Sequence, residues 1–118
     1  MRKTILWSAA SSVLTLVAVW CLGGAELPSK VKLENAHVLV REVTYLPGVA
    51  RERSIRPTNQ VIVFLDDSRY ERTDSASKEK TIRARKSGDV IWHDKGEDAP
   101  QLINLGSKPY RTLVIELK

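Results

Sequence analysis

The fold is decided by two stretches of sequence, GVARERSIRPTNQ from Gly48 to Gln60 and GDVIWHDKG from Gly88 to Gly96. In the first stretch, Ser54 and Arg56 stand two positions apart, and Gln60 follows four positions later. A two-residue step places both side chains on one face of a strand, and the glycines allow turns at the ends. Both stretches therefore predict short strands bounded by turns, with Ser54 and Arg56 on a common face.

This spacing resembles the two motifs of the cupin superfamily. The resemblance covers residues 33–118 and includes Gly96 and Asn104, which stand where the second motif has its glycine and asparagine. It implies an all-β fold, a small cupin-like β-barrel of the jelly-roll type. The second motif departs in two places. Asp94 stands where the family usually has proline, and the interval from Gly96 to Pro100 is one residue longer than usual.

The metal ligands of the family are missing from this sequence. The resemblance aligns two histidines with Ser54 and Arg56, a glutamate with Gln60 and a further histidine with Pro100. Imidazole and carboxylate hold a divalent first-row metal, whereas these four positions offer a hydroxyl, a permanent cation, an amide and a ring without a donor atom. At an effective dielectric of about 20, a divalent ion ~4 Å from Arg56 is repelled by about 8 kcal/mol. We therefore expect no metal and no cofactor.

The barrel interior is the expected place for a ligand, and five residues are its candidate binding residues: Ser54, Arg56, Gln60, Trp92 and His93. Trp92 is expected to be a core residue or a pocket wall. The guanidinium of Arg56 cannot lose its charge, and burying it without a partner costs several kcal/mol. Three arrangements could stabilise this charge. The first is an internal acid, for which Glu42 and Glu116 are candidates, and the second is contact with water. The third is an anionic ligand held by a bidentate hydrogen bond.

No motif selects a catalytic residue, and the sequence leaves the catalytic residues unknown. A candidate triad for nucleophilic catalysis consists of Ser54, His93 and either Asp94 or Asp98. It lacks the strand-to-helix turn that presents a nucleophile. General acid–base catalysis has three candidates in the interior, as in the metal-independent epimerases of the superfamily: Glu42, His93 and Tyr45. A relocated metal site has no recognisable ligand spacing; its members are His37, His93, Asp94 and Glu97.

Short runs rich in β-branched and aromatic residues alternate with turn signals, which predicts one all-β domain of about seven strands. Gln60–Leu65 is almost entirely apolar, which predicts a strand buried on both faces. The remaining predicted strands are His37–Leu46, Arg69–Thr73, Lys80–Lys86, Asp89–His93, Gln101–Leu105 and Tyr110–Leu117. Residues 26–32 are predicted to be a short linker, and residues 33–118 the barrel domain.

The strand Lys80–Lys86 alternates basic and apolar side chains. Arg83 and Arg85 share one face, and Ile82 and Ala84 share the other. This alternation predicts that the apolar face packs inward and that the arginines form a solvated outer face. Contact with a polyanion or an envelope surface is the alternative.

The first 25 residues have the features of a signal peptide. Arg2 and Lys3 form a basic start, residues 5–22 are uncharged and mostly apolar, and Gly23-Gly24-Ala25 supplies small residues for cleavage. An uncleaved membrane anchor is the alternative, because eighteen uncharged residues are at the lower limit for crossing a bilayer. Cys21 suggests lipoprotein processing, but the bulky Trp20 before it argues against that.

Composition limits the remaining possibilities. The chain has 19 basic and 14 acidic side chains, and without Arg2 and Lys3 the net charge of residues 26–118 is +3. Acids and bases are interspersed, which gives no support to nucleic-acid binding. The single cysteine, Cys21, lies in the signal segment, so no disulfide can form within the domain. A domain this small must complete one core or gain stability from a partner chain.

These observations indicate an exported protein, periplasmic or secreted, with a metal-free cupin-like domain. We expect this domain to bind either a small molecule, which could be an anion, or another protein. Two alternatives stay open. One is a metal-independent enzyme of the isomerase or epimerase type, acting on a small anionic or sugar-like substrate. The other is a structural or assembly component. A homodimer is a candidate assembly, and the membrane is a partner only if the N-terminal segment is not cleaved.

We expect the exported protein to begin at Glu26, because the basic start, apolar stretch and small residues fit processing better than anchoring. Intact-mass measurement and N-terminal sequencing of the protein from the cell envelope check this. A full-length, membrane-embedded species as the major form would contradict it.

Overall fold

The computed structural model describes residues 26–118, and the signal segment predicted over residues 1–25 lies outside them. All regular structure in this part of the chain is β-strand, which confirms the all-β prediction. None of the described residues forms a helix long and apolar enough to cross a membrane. The strands are β1 (Ser29–Glu34), β2 (Val38–Tyr45), β3 (Ala50–Arg51), β4 (Ser54–Ile55), β5 (Gln60–Phe64), β6 (Ser68–Thr73), β7 (Lys80–Arg85), β8 (Val90–His93), β9 (Asp98–Ala99), β10 (Gln101–Asn104) and β11 (Tyr110–Leu117).

The strands form two main sheets and one small one. The larger sheet has the order β1-β2-β11-β5-β8, and the second has the order β3-β10-β6-β7. Strands β4 and β9 pair separately, through Ser54 with Ala99 and Ile55 with Asp98. Neighbouring strands are antiparallel throughout. The sheets enclose an interior lined by alternate residues of each strand.

The core between the two sheets is dominated by aromatic rings. Tyr45 and Tyr110 stack with ring centroids 4.6 Å apart, and Phe64 lies 6.2 Å from Tyr110 and 6.4 Å from Tyr70. Stacked pairs contribute about 0.5–1.5 kcal/mol each beyond the burial of their area. Burial also raises the pKa of the Tyr110 hydroxyl. That hydroxyl is therefore neutral and belongs to the core.

The outer face of the larger sheet is also apolar. Cross-strand pairing aligns one side chain from each of its five strands in a row: Leu33, Val40, Ile115, Val61 and Trp92. Leu33 and Trp92, at the two ends of this row, are about half exposed. This outer row explains the continuous apolar run of β5. Gln60, Ile62 and Phe64 are buried inside, whereas Val61 and Val63 are only half-buried on the outside, so the predicted burial of β5 on both faces is wrong for the outer face.

The glycines and the asparagine of the two motifs have structural roles. Gly48 and Gly96 have φ angles of 73° and 86°, which side chains with a Cβ rarely adopt. Asn104 is 3% exposed and donates hydrogen bonds from Nδ2 to the carbonyl oxygens of Tyr45 and Lys108. Its Oδ1 also accepts a hydrogen bond from the Gly106 amide. Asn104 therefore joins the end of β2 to the loop that follows β10.

The structure has more strands than the sequence predicts. Strand β1 occupies Ser29–Glu34, most of which lies in the predicted linker 26–32 or at its junction with the domain. Its residues are exposed, and pairing with β2 at the edge of the sheet holds it in place. The two-residue strands are too short for a hydrophobic period to show; they are β3, β4 and β9.

The two faces of the larger sheet should differ in their response to truncation. Ile62 is 8% exposed and faces the core, so Ile62→Ala should cost about 3 kcal/mol of unfolding free energy. Trp92 is the larger side chain but is 50% exposed, so Trp92→Ala should cost only about 1 kcal/mol. Urea unfolding of the purified variants measures both. A greater loss for Trp92→Ala would show that the faces are assigned wrongly.

Candidate functional site

The four positions that the motif resemblance aligns with metal ligands converge on one cavity. Ser54, Arg56, Gln60 and Pro100 all line a space of about 680 Å³ between the two sheets. This volume is within the usual range for small-molecule pockets. The inward placement expected for Arg56 and Gln60 is found, since they are 9% and 5% exposed. Ser54 lies at the cavity but is exposed.

Arg56 is buried without a carboxylate on its guanidinium. Its Nη1 donates a 2.9 Å hydrogen bond to Oε1 of Gln60, a neutral amide, and its Nε is buried without a hydrogen-bond partner. The backbone fixes the residue in place, because its amide bonds to the carbonyl of Glu97 and its carbonyl accepts from the amide of Gly96. Burial lowers the pKa of Arg56, and the neighbouring charge of Arg51 lowers it further.

The acids predicted as internal partners of Arg56 are engaged elsewhere. Glu116 accepts hydrogen bonds from Nε and Nη2 of Arg41, at 2.9 and 2.6 Å. Glu42 faces outward, where it lies 3.8 Å from Lys32. The charge of Glu97 acts on Arg56 in the opposite direction to burial, but the oxygens of that carboxylate bond to His93 and to the Asp94 amide. Within residues 26–118, no carboxylate forms an ion pair with Arg56.

Arg51 is a second cation at the same place. Its Nη1 donates to the Tyr45 hydroxyl at 3.3 Å, and its Nη2 donates to the Pro100 carbonyl. Its Nε is buried without a partner, and none of the described carboxylates forms an ion pair with it. Two positively charged guanidinium groups therefore line the same cavity.

The cavity as a whole is strongly basic. Besides Arg56 and Arg51, four arginines line it: Arg41, Arg72, Arg83 and Arg85. The acidic residues that line it are Glu26 and Glu52. Arg41 is neutralised by Glu116, and Arg72 lies 3.9 Å from Asp74. The remaining arginines give the cavity an excess of positive charge.

Arg83 and Arg85 lie on the inner face of their sheet, which corrects the prediction of an outer face, although Arg83 is exposed to solvent as expected. Arg83 lies opposite the buried Tyr70, and Arg85 lies opposite the buried Ser68, so both share the interior face of their sheet. Ile82, on the other face, is 58% exposed. The inside–outside assignment of β7 is therefore reversed, because alternation in a sequence gives the two faces but does not say which one lies inside.

The side chains of His93 and Trp92 point to opposite faces of the sheet, because they are neighbours in a strand. His93 lies opposite Gln60 and lines the cavity, and its Nδ1 is 2.7 Å from Oε2 of Glu97. This hydrogen bond lowers the pKa of Glu97. Trp92 points outward, where its Nε1 donates to Asp94 at 2.8 Å. Trp92 is therefore not a pocket wall, which corrects that prediction.

The candidate triad is not assembled. Ser54 lines the cavity with His93, but the acid beside His93 is Glu97. Asp94 accepts from Trp92, and Asp98 accepts from Arg53 and Ser75. Of the acid–base candidates, Glu42 faces outward, and the Tyr45 hydroxyl is occupied by Arg51. His93 is the candidate that keeps an inward position.

The residues of the cavity do not fit a divalent metal. Of the aligned positions, Arg56 repels a cation, and Ser54 and Gln60 supply only neutral oxygens. Arg51, which lines the same cavity, adds a second positive charge. Within the described residues, no group of three or more His, Cys, Asp or Glu side chains lies close enough to hold a metal ion. His93 and Glu97 are together, but His37 and Asp94 do not join them in such a group.

Comparison with known proteins shows similarity at the level of fold. No protein-family model matches the sequence, and no curated protein matches it. Among solved structures, a cupin domain from Bordetella pertussis Tohama I matches with a TM-score of 0.69 and 16% identity, over 82% of this chain and 98% of that one. A double-stranded β-helix protein from Klebsiella pneumoniae matches with a TM-score of 0.61 and 18% identity, over 80% and 79% of the two chains.

A polyketide cyclase from Streptomyces resistomycificus matches with a TM-score of 0.64 and 14% identity, over 80% of this chain and 67% of that one. Similar folds thus occur in an enzyme and in proteins described only as cupin or double-stranded β-helix domains. At these identities the similarity concerns the fold alone. The predicted cupin-like fold is confirmed.

We expect the purified, untagged protein to contain less than one equivalent of manganese, iron, nickel, copper or zinc, because Arg56 and Arg51 repel a cation from the cavity. Elemental analysis measures this, and His93→Gln is the matched variant. One equivalent of a transition metal that is lost in His93→Gln would show that a site exists around His93 and Glu97.

Proposed function

We propose that this protein is an exported binding module whose cavity holds a small organic anion, a carboxylate or a phosphate, on Arg56 and Arg51. One observation carries the proposal: the buried guanidinium of Arg56 has no anionic partner among residues 26–118. An unpaired buried cation costs several kcal/mol, and an anionic ligand would remove that cost by supplying the missing charge. A guanidinium can bind a carboxylate or phosphate through two parallel hydrogen bonds.

The surroundings of Arg56 support an anion rather than a neutral ligand. Arg51 adds a second positive charge, and its own hydrogen bonds go to the neutral oxygens of Tyr45 and Pro100. Gln60 holds one nitrogen of Arg56 and thereby limits the rotation of the side chain. A binding group that is already oriented loses little entropy when the ligand arrives. Ser54, at the same cavity, is in a position to add a hydroxyl donor.

A metal-independent enzyme is the second candidate, and the pairing of His93 with Glu97 favours it. A carboxylate on Nδ1 fixes the histidine ring and leaves the other ring nitrogen available for proton transfer. His93 lines the same cavity as Arg56, so an anion on Arg56 would lie in reach of one general acid–base group. Turnover of a bound anion that is lost in His93→Gln would establish the enzyme; binding without turnover would establish the module.

The anion should stabilise the wild-type protein and not Arg56→Gln. A carboxylate or phosphate at 100 times its Kd should add about 2.7 kcal/mol to the unfolding free energy, which thermal-shift screening of organic acids and sugar phosphates detects. The neutral amides of the same acids should have no effect. The matched control is Arg69→Gln, which removes an exposed arginine from the opposite face of β6.

The unliganded variant gives a second readout. Because Arg56 is buried beside Arg51 without an anion, Arg56→Gln should unfold at the same or a higher temperature than wild type when no ligand is present. A variant that is both less stable without ligand and equally stabilised by every anion would show that Arg56 is structural. The proposal would then be abandoned.

A further inference from the structure

The cavity has a second basic end, formed by Arg85. Its Cζ lies 6.0 Å from the centre of the Phe64 ring, the geometry of a cation over an aromatic face. The Nε of Arg85 is buried without a hydrogen-bond partner, and no carboxylate of residues 26–118 forms an ion pair with it. Arg83, two residues earlier on β7, also lines the cavity but is exposed to solvent.

The two basic ends are separated by the length of β5. Arg56 bonds to Gln60 at one end of this strand, and Arg85 lies over Phe64 at the other. Gln60 and Phe64 are four residues apart, so their Cα atoms are about 13 Å apart along an extended chain. Arg56 and Arg85 are therefore held at opposite ends of β5.

The wall between the two ends is apolar, and the aromatic rings lie at the Arg85 end. Ile62 lies between Gln60 and Phe64 on the inner face of β5, and Val114 lies directly opposite it on β11. Beside Phe64, the rings of Tyr110 and Tyr45 continue across the neighbouring strands to the hydroxyl bonded by Arg51. A cavity of about 680 Å³ has room for a body of one or two rings between the arginines.

From this arrangement we propose that the ligand is an elongated dianion with an apolar or aromatic body, one anionic group on Arg56 and Arg51 and the other on Arg85. This inference rests on the proposed anion site at Arg56 and adds the length, the second charge and the apolar body of the ligand. Each guanidinium then has an anionic partner, and the apolar body covers the aromatic wall.

Four aromatic acids test charge and length independently, with affinity measured by calorimetry. They are benzoate, terephthalate, biphenyl-4-carboxylate and biphenyl-4,4′-dicarboxylate. The biphenyl dicarboxylate should bind wild type about tenfold more tightly than the biphenyl monocarboxylate, as expected for one additional charged hydrogen bond. Terephthalate, which has two charges but only one ring, should gain much less over benzoate.

Variants separate this inference from the proposed function. Arg85→Gln should weaken the biphenyl dicarboxylate about tenfold and leave the biphenyl monocarboxylate unchanged, whereas Arg56→Gln should weaken both. Arg85→Lys should recover part of the loss because it keeps the charge. Arg69→Gln, the exposed control on β6, should change neither.

Two outcomes overturn the inference while the anion site stands: equal affinity for the two biphenyl acids, or equal loss of both in Arg85→Gln. Binding that does not depend on Arg56 for any anion overturns the proposed function itself, and the inference with it. Circular dichroism of each variant, which reports the β-structure without ligand, shows whether a loss of affinity comes from misfolding.

Discussion

The structure depends on one constraint, a permanent positive charge held inside a small barrel. Arg56 is fixed by its backbone bonds to Gly96 and Glu97, and it is 9% exposed. A histidine in that place could become neutral on burial, but a guanidinium stays charged. The surrounding groups stabilise the charge of Arg56 only in part, because Gln60 supplies a neutral oxygen and Arg51 adds repulsion. In the proposed function, a ligand of opposite charge supplies the missing partner.

The same constraint accounts for the unusual distribution of polarity between the faces. Inside, arginines line the cavity beside a compact aromatic core. Outside, an apolar row crosses all five strands of the larger sheet. The core carries most of the stabilising burial, so it must offset the cost of the buried charges. The homodimer stays a prediction. The solvent-accessible outer row of apolar side chains is the surface on which to test it.

The sequence predicted the fold better than the site, for identifiable reasons. Turn glycines, strand lengths and the spacing of Ser54, Arg56 and Gln60 are local features, and the structure places all three side chains at one cavity. Which face of a strand points inward is a tertiary property. For β7 the usual rule, with apolar residues inside, gives the reversed answer. Arg83 and Arg85 are on the cavity side, where Arg83 is itself exposed, and Ile82 is on the outer face. Arg51 was missed as a site residue because β3 is too short to show a period.

A cavity based on guanidinium groups differs in chemistry from one based on a metal. A metal accepts lone pairs and can exchange its ligands, whereas Arg56 and Arg51 only donate hydrogen bonds, in fixed directions. Histidine ligands titrate near neutral pH. Burial and the charge of Arg51 lower the pKa of Arg56, but its guanidinium stays charged. In the proposed function, the pH dependence of anion binding therefore follows the ionisation of the anion itself. In the proposed function, the arginines thus select the charge and shape of the ligand, and the alternative enzyme would transfer protons through His93.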